Sequence, residues 1–138
     1  MEHAPGAARP KPTEEDKAFE LVRQSFLARL PGELERLARL AGELAAAGND
    51  CAPVLRDIAM FAHRLRGTAA VFAALQISTA AQAAELAVTD VLDVGGKSND
   101  VRVWSALRAL AAALTQVIRG DGSSETPLPE AGQPTLAA

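Results

Sequence analysis

Apolar residues recur every three or four positions through most of the chain, and the recurrence predicts helices. Phe19, Val22, Phe26 and Leu30 fall on one face of a first helix. Thr13 is its cap, and Asp16 three residues on resembles a capping box. Pro31 ends or kinks that helix and suits the first turn of a second. The second carries Leu34, Leu37, Ala41 and Leu44 and stops near Gly48, a C-terminal cap. Asp50 can cap a third helix, which tolerates Pro53 early in its course and presents Val54, Ile58, Phe61, Leu65 and Phe72 as its stripe. A fourth, over about residues 74–92, shows Ile77, Ala81, Ala84, Val88 and Val91 on one face. After the loop "DVGGKSND", a fifth runs over about 100–119 on Val103, Leu107, Leu110, Leu114, Val117 and Ile118.

No segment alternates as a strand does. The expected fold is therefore all-α, an antiparallel up-and-down four-helix bundle with an additional N-terminal helix. The bundle is expected over residues 13–119. Segments 1–12 and 120–138 each hold three prolines among small and polar residues and read as disordered tails, the first of which contains His3.

Composition narrows the function. Of 138 residues, 49% are apolar and only 4% aromatic, which suits thin, closely packed helices. The formal charge of -3 gives no electrostatic reason to expect nucleic acid or an anionic membrane as partner. Cys51 is the single cysteine, so neither an intramolecular disulfide nor a cysteine-rich metal site can form. The N-terminal residues do not resemble a secretory signal, and no uninterrupted apolar run reaches the ~18 residues that suggest a membrane span. A cytoplasmic protein is expected. "DVGGKS" ends like a phosphate-binding loop but lacks the earlier glycine and the preceding strand, and no metal-ligand set is evident, so an autonomous enzyme is not expected.

The candidate chemistry lies in "AHRLRG", residues 62–67. On a helix of 3.6 residues per turn, His63 points about 180° from the middle of its own apolar stripe. Ala59 and Gly67 stand one turn before and after it, and Ala70 two turns on. A plain solvent face would carry Glu, Lys or Gln there, whereas a mid-helix glycine costs about 1 kcal/mol relative to alanine. These small residues leave the imidazole open to a bulky partner. Arg56, Arg64 and Arg66 add cations able to attract a phosphoryl group. The residues alone leave a passive and a reactive histidine both open.

The stretch "FAHRLRGTAAVFAALQISTAAQAAELA" resembles the signature of histidine-containing phosphotransfer (HPt) domains, with Ala62, His63, Leu65, Arg66, Gly67, Thr68 and Ala69 at the matching offsets. The similarity extends through "LPGELERLARLAGELAAAGN" and covers roughly 26–118. Two positions depart from the pattern: Arg66 stands where lysine is commoner, and Ala73 where the helix boundary usually has glycine. The resemblance implies a phosphoryl carrier and not an enzyme. His63 would accept a phosphoryl group from a receiver-domain aspartyl phosphate, or from a sensor histidine kinase, and pass it to another receiver. It implies no cofactor on this chain, the Mg²⁺ belonging to the receiver. Arg66 and Arg64 would stabilise the phosphoryl group. A carboxylate or amide on the next helix, Glu85 by offset or Gln82 one turn earlier, would orient the ring. Arg56, Ala59, Met60, Gly67 and Ala70 would line the docking surface, and a monomer suffices. The alternative is a docking module of the same shape that binds a receiver or kinase without carrying phosphate.

Overall fold

The computed structural model describes residues 11–72 and 74–120, and among them every regular element is a helix. α1 spans Glu14–Ala46, α2 Ala52–Val71, α3 Leu75–Asp93 and α4 Val101–Arg119. Each helix packs on two neighbours, α1 on α2, α2 on α3, α3 on α4, and α4 back on α1. The result is an all-α bundle of four helices joined by short connections.

The expected N-terminal helix and the one after it are a single 33-residue helix, with Pro31 inside it. Proline in a helix interior costs about 3 kcal/mol, because its missing amide and its ring disrupt the preceding turn. Phe26 and Leu30 are buried just before it, and Leu37, Leu40, Ala41 and Leu44 after it. Each large side chain among them gains about 1.5–3 kcal/mol from burial, so packing on both sides outweighs one broken turn. Pro31 itself is exposed, so its ring displaces nothing in the core.

The first turns of α1 extend past the bundle. Phe19 and Val22, expected on the packed face, are 49% and 56% exposed, and the first buried residue is Phe26. Phe19 keeps one aromatic neighbour, Phe72, at a centroid distance of 5.5 Å. The capping box is present: the Thr13 hydroxyl accepts from Asp16 N, and the Asp16 carboxylate accepts from Thr13 N, each at 3.0 Å. At the far end Gly48 takes φ +62° just beyond the C-cap Ala47, a conformation glycine adopts without penalty.

α2 starts differently from expectation. Cys51, not Asp50, is its N-cap, with no side-chain cap hydrogen bond and Pro53 in the first turn. The Cys51 thiol is buried and directed at the Gly96 carbonyl, 3.6 Å away, which ties this end to the α3–α4 loop. The α2 core positions are Leu55, Ile58, Phe61, Ala62, Leu65 and Ala69, while Val54 and Phe72 are half-buried. α4 is capped at both ends, with Asp100 Oδ1 accepting from Arg102 N at 2.9 Å and Gly120 closing it at φ +80°. Its composition and length alone would suit a membrane span, but its apolar face fills the bundle: Val103, Trp104, Leu107, Leu110 and Leu114 are buried. Ala73 and the greater part of both expected tails, His3 included, lie outside the described residues.

Candidate functional site

The site rests on the α2–α3 pair. The connection is tight: Phe72 N and Ala74 N both donate to the Ala69 carbonyl, at 3.2 and 2.9 Å. Ser78 Oγ then donates to the Arg66 carbonyl at 3.3 Å, which sets the register of α3 on α2. Helical side chains lean toward their own N-terminus. Glu85, two turns beyond Ser78, therefore reaches back across to the level of His63.

The His63 side chain is 60% exposed, and its Nδ1 lies 3.0 Å from Glu85 Oε2. Arg66 stands beside both. Its Nη2 is 3.1 Å from His63 Nδ1, and its Nε is 3.3 Å from Glu85 Oε1. That Nε is buried and not aligned for a hydrogen bond, so Arg66 and Glu85 meet as charges. Nδ1 can donate to Glu85 or accept from Arg66, but not both. A carboxylate is acceptor-only and Arg66 already faces its other oxygen, so we assign the proton to Nδ1, donated to Glu85. Nε2 is then left with its lone pair on the outward edge of the ring.

Arg66 was expected at the phosphoryl group, yet its guanidinium lies at the Nδ1 edge, bound up with Glu85. Arg64 takes the other flank, bordering a shallow hollow that His63, Gly67, Thr68, Val71 and Phe72 line with it. Gln82 is exposed one turn before Glu85 and makes no hydrogen bond among the described residues. Arg56, Gly67 and Ala70 are exposed, Met60 is 60% exposed, and Ala59 is half-buried. A Cβ built on Gly67 would meet nothing within 4 Å, so the fold itself does not call for glycine there. Nothing singled out the arginines Arg29 and Arg36 in the sequence, though they stand seven residues apart on one face of α1. Among the described residues no group of three or more His, Cys, Asp or Glu gathers as a metal site.

Hpt domain is the family whose sequence profile matches, over residues 21–120. The chain belongs to the Hpt domain family. The match takes in all of α2, α3 and α4 and α1 from Leu21 onward, so His63, Arg66 and Glu85 all lie inside it. No curated protein and no solved structure gives a significant match. Membership of the family implies a phosphotransfer-related function in two-component signalling, in interaction with receiver domains and kinases.

Proposed function

We propose that His63 is the phosphoryl acceptor of this Hpt domain, through Nε2. What carries the reading is the exposed imidazole whose Nδ1 is engaged by Glu85 on the neighbouring helix. The Nε2 lone pair attacks the phosphorus of a receiver's aspartyl phosphate, the N–P bond forms as the acyl P–O bond breaks, and the aspartate leaves as a carboxylate. The ring keeps its Nδ1 proton and gains a positive charge, which the Glu85 carboxylate offsets. Glu85 thus orients the ring before transfer and stabilises it afterwards.

Arg66 serves as a positioning residue by holding Glu85, and Arg64 is the cation on the open flank for the transferred group. The receiver supplies Mg²⁺ and the remaining charge stabilisation. Gly67 leaves the in-line approach clear. The reverse reaction to a second receiver uses the same atoms, so the protein is a carrier that depends on its partners for catalysis.

Incubation with radiolabelled phospho-receivers tests this directly. The chain is expected to acquire an acid-labile, alkali-stable phosphate, and His63→Gln to abolish it with the helical circular dichroism unchanged. Label retained in that variant would sink the assignment. A receiver that binds both forms equally and never transfers phosphate would favour the docking module.

A further inference from the structure

α1 and α2 leave between them an open groove of about 360 Å³. Its floor is apolar, made by Phe26, Phe61 and Leu65, all buried. Its rim carries three guanidinium groups, Arg29 and Arg36 from α1 and Arg64 from α2, against one carboxylate, Glu33. Arg36 lies over the Phe61 ring at 5.9 Å from its centroid, a cation–π contact that keeps the charge at the groove. The whole chain has a formal charge of -3, so a cationic groove is not a consequence of its composition.

The groove also adjoins the site. Arg64 and Thr68 line both it and the hollow beside His63 and Gly67. A protein seated over Gly67 to reach Nε2 therefore lies against this rim as well. The Thr68 hydroxyl is already bonded to the Arg64 carbonyl at 3.0 Å, and the floor offers a small anion nothing polar. Acidic side chains on a folded surface, with apolar neighbours to cover Phe26 and Phe61, fit it better.

We propose that this groove is a docking site for an acidic segment of the receiver that exchanges phosphate with His63, and that it selects acidic receivers over basic ones. The proposal rests on His63 being the acceptor. The α1 rim charges, Arg29 and Arg36, act chiefly on encounter and partner choice, while chemistry at the ring proceeds as before.

The test offers the full chain a set of purified receiver domains of graded net charge, each phosphorylated with acetyl phosphate. Acidic receivers are expected to label His63 fastest, with rates falling as salt is added. Arg29→Glu/Arg36→Glu should slow labelling by acidic receivers about tenfold below saturation, leave the saturating rate unchanged and remove the preference among receivers. Arg29→Lys/Arg36→Lys should restore most of it, and thermal melts check that both variants fold. The single Arg29→Glu variant, which leaves the Arg36–Phe61 contact intact, should show part of the loss. An unchanged preference in the Glu variants, or an equal loss in the Lys variant, would overturn the proposal. So would faster labelling by every receiver after Asp121→Asn/Glu125→Gln/Glu130→Gln, which would give the groove to the chain's own acidic segment. If phosphoramidate modifies His63 but no receiver does, the receiver is the wrong occupant. If neither modifies it, the phosphotransfer reading itself fails.

Discussion

At the scale of single residues, the proposed mechanism divides the work around His63 between Glu85 and Gly67. A glutamine at 85 could still accept the Nδ1 proton, but it would bring no charge to face the phosphorylated ring. Glu85→Gln is therefore expected to keep the Nδ1–H tautomer, read from imidazole ¹⁵N shifts, while moving the transfer equilibrium away from His63. Glu85→Ala should shift the tautomer toward Nε2–H and slow transfer about tenfold to a hundredfold, the effect typical of losing a partner that orients a histidine. An alanine variant with unchanged tautomer and rate would remove Glu85 from the mechanism. Gly67 makes a second separation. A Cβ there meets nothing, so Gly67→Ala should stabilise the fold by about 0.5–1 kcal/mol in urea titrations. Gly67→Leu should fold as well and yet lose at least about tenfold in transfer, because the added side chain stands in the approach to Nε2. Equal transfer in the leucine variant would mean that the approach does not pass over Gly67.

At the scale of the elements, α4 shows how a terminus is secured. Asp100 accepts from Arg102 N and holds the Arg102 side chain at 3.0–3.1 Å, and that bonded guanidinium keeps the Asp100 carboxyl below the usual carboxylate range. A depressed folded value means the stabilisation is present above the ordinary aspartate pKa of about 3.9 and is lost as pH falls through the lower folded one. Asp100→Asn, which keeps a cap acceptor and drops the charge, should cost about 0.5–1 kcal/mol at pH 7 and almost nothing near pH 2. Urea midpoints at the two pH values measure it, and an equal cost at both would rule out the charge as its source. The Thr13 box and the helical period of every element were legible in the sequence, whereas the Asp100 cap was not singled out there. Two further features were not legible. Pro31 looked like a boundary because local rules see the broken turn but not the leucines packed on either side of it. Trp104 was left out of the expected stripe, yet it is fully buried and its indole donates to the Ser98 carbonyl at 2.6 Å. Period alone cannot tell which positions beside a stripe a neighbouring helix will cover. The site was more legible than the groove, since the His63–Glu85 offset lies within one hairpin, whereas Arg29, Arg36 and Arg64 meet only when two helices are brought together.

At the scale of the whole molecule, α1 belongs to two regimes of stability. From Phe26 onward it shares one core with the other helices, in which Leu37, Leu44, Ile58, Val88 and Leu107 are fully buried. Before Phe26 it is exposed, apart from a half-buried Arg23, and has the Phe19–Phe72 contact and the capping box to hold it. Isolated helices shorter than about 12–15 residues are marginal in water, so these first turns should open without the core. Amides of Glu20–Ser25 are accordingly expected to exchange with solvent orders of magnitude faster than those of Leu37–Leu44, which open only on global unfolding. Trp104, the chain's single tryptophan, reports only the core. Its fluorescence should show one cooperative transition, while circular dichroism loses part of its helical signal earlier. Equal protection along all of α1 would mean that another surface covers Phe19 and Val22. Dependence of that protection on protein concentration would then identify a second copy as the cover, and its loss on adding a receiver would place these turns in the docking surface.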